Sequence, residues 1–225
     1  MLLTGFPAGV LACNCYVLAQ RQGSDAIIVD PGQRAFGPLR RILDENRLTP
    51  AAVLLTHGHI DHLWSAQKVA DTFGCPVFIH PADRFMLTDP IRGFGPRIAQ
   101  MAFGAMFREP RQVVELDCDG DTLDLGGIAV TVDHTPGHTR GSVVFRVSGT
   151  AAGGGDRVAF TGDTLFRQSV GRTDLPGGSG RDLLGSILNK LLVLDDDCKV
   201  LPGHGPSSTI GLERRTNPFL EGLTL

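Results

Sequence analysis

The chain of 225 residues has no CxxC pair, and its five cysteines are odd in number and scattered, so nothing in it indicates a disulfide framework. Reduced thiols in a cytoplasmic protein are the expectation. Cys13 and Cys15 stand two apart and share one face of a strand; they are read as buried small residues, with a soft metal pair as the alternative. Positive charge is not in excess either. Lys and Arg number 21 against 24 Asp and Glu, a formal net charge of -3, which offers no basic field to a phosphate backbone and argues against nucleic acid as a partner. No apolar run reaches the roughly 20 residues of a membrane span. The opening "MLLTGFPAGVLAC" resembles a lipoprotein cleavage box at "VLAC", but it carries no Lys or Arg, is broken by Pro7 and glycines, and is short for a signal peptide. No membrane partner is expected, and "NCYVLA" is read as the first strand. Inter-domain linkers, internal repeats and low-complexity tracts are also missing, so residues 1–225 are expected to form one domain with a substantial core.

What is present is a succession of short apolar runs closed by Gly, Pro or Asp: "NCYVLA", "AIIVDPG", "AVLLTHG", "VFIHP", "IAVTVDHTPG", "SVVFRVSG", "RVAFTGD" and "KVLPGHG". Such runs read as strands, several of them buried on both faces. Helical patterns lie between them in "FGPLRRILDENRL", "LWSAQKVADTFG" and "GRDLLGSILNKLLVL", and the alternation indicates an α/β protein with layered sheets. The piece "GTAAGGGD", residues 149–156, lacks the Gly-Lys-Ser/Thr end of a phosphate loop and is read as a hairpin loop. Residues 83–110 scatter Phe, Met and Ile over an insertion of little net charge. Packing against the core explains that composition; an apolar wall or lid over a pocket is the alternative.

The stretch "THGHIDH" places His57, His59, Asp61 and His62 directly after an apolar run. A lone histidine is usually structural, but three with an aspartate and no nearby cation point to metal ligation. One loop cannot close two coordination shells, so further donors are expected at other strand ends. His138 in "HTPGHTRGS", Asp163 in "AFTGDTLF" and His204 in "VLPGHGP" are such donors, each in a turn whose Gly or Pro lets the side chain point out of a strand end. Imidazole and carboxylate suit zinc, iron or manganese; no cysteine falls in these motifs, so thiolate-driven zinc selectivity is not expected.

In this order, "HGHIDH", "TPGHT", "TGDTLF" and "PGHG" resemble the metallo-β-lactamase superfamily of hydrolases over nearly the whole chain. "NCYVL", "GRTDLPGG" and "ERRTNPFL" narrow the likeness to short type II glyoxalases, the hydroxyacylglutathione hydrolase group. The resemblance implies an αββα sandwich of two mixed β-sheets flanked by helices. It assigns His57, His59 and His138 to a first metal and Asp61, His62 and His204 to a second, with Asp163 bridging. Two divalent cations, zinc the first choice, can acidify a shared water and polarise a carbonyl, with Asp61 either orienting that water or serving as a ligand alone. The implied substrate is a small-molecule hydroxyacyl thioester, whose thiolate leaves without obligatory protonation. Arg172 either binds a substrate carboxylate or pins its loop through Asp174. His80 and His134 are read as supporting groups rather than ligands, and Asp30 and Gly32 as a turn near the metal floor. Larger glyoxalases of this type carry a helical extension that binds glutathione, whereas only a short tail follows His204, so another low-molecular-weight thiol carrier, or a broader set of thioesters, received through residues 83–110, is a further expectation. A persulfide dioxygenase using one iron shares these motifs and is the rival reading; β-lactam hydrolysis and nuclease activity fit less well.

Overall fold

The computed structural model describes residues 1–93, 107–148 and 158–222. The loop read at 149–156 and the middle of the 83–110 insertion lie outside them. Two six-stranded sheets dominate the described residues. The first runs in sequence order through β1 (Leu2–Ala8), β2 (Cys13–Ala19), β3 (Asp25–Val29), β4 (Thr49–Leu54), β5 (Val77–Ile79) and β6 (Val113–Glu115). Its first two pairings are antiparallel and the rest parallel. The second sheet uses β7 (Thr122–Leu125), β8 (Ile128–His134), β9 (Val143–Val147), β10 (Val158–Gly162), β13 (Lys199–Pro202) and β14 (Ser208–Thr209), with β10 and β13 its one parallel pair. A small hairpin, β11 (Leu165–Phe166) and β12 (Ser169–Val170), follows β10.

Strand alternation explains the layering, because successive side chains leave a strand on opposite faces. In β2, Tyr16 and Leu18 join Ile27, Leu54, Val130, Phe145 and Phe160 in the core between the sheets. Cys15, Val17 and Ala19 face the other way, toward α1 (Phe36–Asn46) and α3 (Ala66–Phe73), whose Leu39, Leu43, Val69 and Ala70 cover that side. On the far side, α4 (Gly180–Ser186), the π-turn that continues it over Ile187–Leu191, and α5 (Ile210–Thr216) pack on Val144, Ala159 and Val200 of the second sheet. The result is the αββα sandwich of two mixed sheets that the motifs imply.

Two local readings need correction. "NCYVLA" is the second strand: Leu2–Ala8 precedes it and pairs with it along its whole length. Gly5 and Pro7 interrupt the apolar pattern of that segment, and the structure shows why they are tolerated. A Cβ on Gly5 would stand 2.6 Å from the Tyr16 ring, and proline is accepted on an edge strand. The helix read in "LWSAQKVADTFG" begins only at Ala66; Ile60–Leu63 forms a separate single turn, α2, and the Ser65 amide between them donates to the Pro31 carbonyl at 2.8 Å. That break frees "GHIDH" to turn back over the sheet edge. No helix among the described residues is long and apolar enough to cross a membrane.

Candidate metal centre

All seven side chains expected at strand ends meet at one edge of the sandwich. His57 and His59 follow β4, with His59 in extended backbone just ahead of α2, whose first turn carries Asp61 and His62. His138 sits in the turn after β8, Asp163 follows β10, and His204 follows β13. His57 Nε2 and His138 Nε2 stand 3.1 and 2.9 Å from His59 Nδ1. Three nitrogens bound tetrahedrally to one ion at 2.0–2.1 Å would stand about 3.3 Å apart, close to this spacing. A second group adjoins the first: His62 Nε2 lies 3.3 Å from His204 Nε2, and His204 Nε2 lies 3.1 Å from Asp61 Oδ2. Asp163 stands between them, with Oδ1 3.4 Å from His62 Nε2 and Oδ2 3.5 Å from His138 Nε2. Its Oδ1 is buried without a hydrogen-bond partner, a costly arrangement for a carboxylate oxygen unless a cation completes it.

Four imidazoles are fixed in one tautomer by what their other nitrogen touches. His138 Nδ1 donates to the Arg172 carbonyl at 2.7 Å, and His204 Nδ1 donates to the Leu11 carbonyl at 3.0 Å. His62 Nδ1 donates to Asp30 Oδ2 at 2.9 Å. The Thr56 hydroxyl donates to the same Asp30 oxygen at 2.6 Å and therefore accepts from His57 Nδ1 at 3.1 Å. In every case the Nε2 lone pair is left facing the cluster, which is how a protein prepares histidine for a metal. The donor set thus fits divalent cations.

Charges are arranged to the same end. Burial, reinforced by the neighbouring imidazoles, pushes His57 well below its ordinary pKa and His59 down to about 3, so both are neutral donors. Burial alone would raise the Asp61 carboxyl, but His62 and His204 outweigh it and hold the group below the usual carboxylate range. Asp163 is likewise depressed, against burial, chiefly by His62. With no ion bound, His62 and His204 move upward despite burial, His62 through Cys13, Asp163, Asp61 and Asp30 and His204 mainly through its bond to Asp61, so each draws a proton to the Nε2 position that a bound cation would take over.

The backbone leaves room for these groups at glycines. A Cβ on Gly203 would overlap Asp163 Oδ1 and stand 2.6 Å from the His62 ring, and one on Gly171 would overlap the Asp163 carbonyl. "NCYVL" has a structural function here. Asn14 donates through its side-chain amide to the Pro202 and Gly205 carbonyls at 3.0 and 2.9 Å, and the Tyr16 hydroxyl donates to Pro202 at 2.7 Å. Both tie β2 to the His204 turn.

Several supporting residues carry no local sequence signal. Asp30, read only as part of a turn, is a buried carboxylate at φ 47° that serves both His62 and Thr56. Asp83 is buried and ties the two histidine loops together, accepting from the Gly58 and Gly141 amides at 2.9 Å each and from the Thr139 hydroxyl at 2.6 Å. The Arg172 side chain lies outside the cluster in an exposed two-point pair with Asp174, at 2.7 Å for each bond. His80 and His134 stack on each other with centroids 4.1 Å apart, and neither belongs to a ligand group among the described residues. A cavity of about 290 Å³ is bounded by Phe85, Met86, Arg92, Thr139, Arg140 and Pro176; Thr139 follows His138 in the chain, and none of the seven donors lines it.

A sandwich of this topology with histidines and aspartates at one edge defines a class, and the chain belongs to the metallo-beta-lactamase superfamily, whose sequence model matches residues 8–204. More particularly, it is 75% identical over 224 residues to an uncharacterized protein of Mycobacterium tuberculosis, covering 100% of both chains. It is 36% identical to the hydroxyacylglutathione hydrolase GloC of Haemophilus influenzae, with 95% of each chain covered. Among solved structures, the BLEG-1 B3 metallo-beta-lactamase superposes with a TM-score of 0.83 at 38% identity, covering 98% of this chain and 100% of that one.

Proposed function

We propose that this chain is a dinuclear metallo-hydrolase that cleaves a hydroxyacyl thioester of a low-molecular-weight thiol to the acid and free thiol. The observation that carries the reading is the convergence of five imidazoles and two carboxylates, with Nε2 of His57, His62, His138 and His204 presented by fixed tautomers. In this reading His57, His59 and His138 would hold one divalent ion and Asp61, His62 and His204 the other, with Asp163 available to both, and zinc is the first choice of metal. When bound, such ions supply Lewis acidity that lowers the pKa of water and polarises a carbonyl. The chain's own groups do the rest. Asp61, whose carboxyl lies below the usual carboxylate range even before an ion binds, is an acceptor that would orient a water. Burial of His57, His59, His62 and His138 keeps bulk solvent from their side of the cluster.

The cavity reached through Thr139, next in the chain to His138, receives the carrier, with Phe85 and Met86 offering apolar contact and Arg92 and Arg140 cationic groups. Arg172 stands on the loop over His138 as a further contact for a substrate carboxylate. A thiolate leaving group, of pKa about 8.5, needs no acid, and the similarity to a hydroxyacylglutathione hydrolase supports a thioester. Residues 1–225 act as one domain, in the cytoplasm where thiol carriers stay reduced.

The test is thiol release from S-lactoylglutathione by the metal-loaded protein, run beside a β-lactam and a persulfide. Thiol release alone supports the thioesterase. β-Lactam opening alone would move the activity toward that of BLEG-1, and oxygen uptake with sulfite production from the persulfide would make the protein a dioxygenase.

A further inference from the structure

The cysteines of β2 differ in what they face. Cys15 belongs to the core cluster beneath α1 and α3, whereas Cys13, equally buried, is outside that cluster. At the site end of the strand, Cys13 Sγ, a nitrogen of His62 and a nitrogen of His204 all lie within 4.8 Å of one another. The position is fixed by backbone. Cys13 forms an isolated bridge with His204, the Asn14 amide donates to the Gly203 carbonyl at 2.7 Å, and His204 Nδ1 reaches back to Leu11. The Cys13 backbone is therefore held to the His204 turn. Gly32 adds to the enclosure, since a Cβ there would stand 3.3 Å from the Cys13 Cβ and overlap the Asp61 carbonyl.

We propose that Cys13 is a sulfur donor to the ion held by His62 and His204, which makes that half of the centre a mixed nitrogen, oxygen and sulfur site selective for zinc or another thiophilic divalent ion. This reverses the expectation that thiolate selectivity is missing. The inference rests on the dinuclear reading of the site but not on its substrate. On binding, the sulfur–metal bond forms as the thiol proton passes to solvent, with no change of oxidation state. Soft thiolate ligands select zinc over harder ions, so the two halves would differ in metal preference, the His57, His59 and His138 half being sulfur-free.

The test uses the full chain, stripped of metal and titrated with cobalt(II) without oxygen, then with zinc for X-ray absorption. Elemental analysis counts ions, and the near-ultraviolet sulfur-to-cobalt band and a zinc–sulfur shell at about 2.3 Å report the bond. The expected result is two ions per chain, with the band carried by one of them. Cys13→Ser should lose band and shell and bind that ion at least about 10-fold more weakly, no less than the loss that follows disruption of a ligand's outer partner. Cys118→Ser should keep both signals. Two ions without sulfur, or a band that survives in Cys13→Ser, overturns the Cys13 assignment while leaving the centre standing. Failure to bind any ion overturns both. The absorption measurement on the unsubstituted protein decides even if Cys13→Ser does not fold.

Discussion

Replacing Asp30 by Asn probes how the centre is held, because the substitution keeps shape and removes one acceptor. In the native chain Asp30 Oδ1 accepts from the Thr56 amide at 2.8 Å, while Oδ2 accepts from the Thr56 hydroxyl and His62 Nδ1. An asparagine can keep only one of those oxygens. If its NH₂ takes the place of Oδ1, two donors face each other where Asp30 is 2% exposed, and a buried unsatisfied donor costs about 1–3 kcal/mol. If the NH₂ takes the place of Oδ2, His62 Nδ1 must become the acceptor. Its proton then moves to Nε2, the nitrogen that faces His204 and Asp163. Either outcome is harmful. Taking about 2 kcal/mol for the first, the melting temperature of the metal-free protein should fall by about 4–8 °C for a chain of this length. The second should weaken the His62-bound ion about 10- to 100-fold, with the ion at His57, His59 and His138 retained. Thermal unfolding and competition with a chelator measure the two effects separately. An Asp30→Asn protein with unchanged melting temperature and both affinities within about threefold of the parent would refute the tautomer argument.

Three other outcomes follow from the same geometry. Gly203→Ala should lower metal content and turnover together, since the new methyl overlaps Asp163 Oδ1 and crowds His62; full occupancy would show that the turn yields freely. Acid should destabilise the metal-free protein below about pH 6.5: the unfolded chain protonates its histidines there while His57 and His59 stay neutral when folded, at about 1.4 kcal/mol per pH unit for each. The raised groups, His62 and His204, do not offset this, because their contribution is complete below the unfolded pKa and is lost only at higher pH; Asp61 and Asp163, both depressed, add to the loss as pH falls below about 4. A melting temperature flat from pH 6.5 to pH 4.5 would contradict the neutral assignment. Arg172→Ala should raise KM several-fold with kcat retained if the guanidinium meets a substrate carboxylate; an unchanged KM leaves its pair with Asp174 as a loop tie.

The donor positions were legible because each follows an apolar strand and stands in a Gly- or Pro-bearing turn, so a linear pattern records a spatial fact. What holds them was not legible. Asp30 is 32 positions from His62, Asp83 is 58 from Gly141, and Arg172 meets His138 through a carbonyl that any residue would provide. Cys13 looked like a core residue because β2 alternation places it on the same face as Cys15; only the approach of the His204 turn distinguishes them. The fold was recovered where strands were continuously apolar. It was missed at β1, where Gly5 makes way for the Tyr16 ring, and at β6 and β7, which are short and partly exposed.

Metal content and S-lactoylglutathione cleavage, measured together on the parent chain and on Asp163→Ala, address the dinuclear thioesterase most directly. The parent should carry near two ions per chain and release thiol, and Asp163→Ala should lose metal and turnover together. Normal activity in Asp163→Ala, or a parent that binds about one ion and releases no thiol, would contradict it.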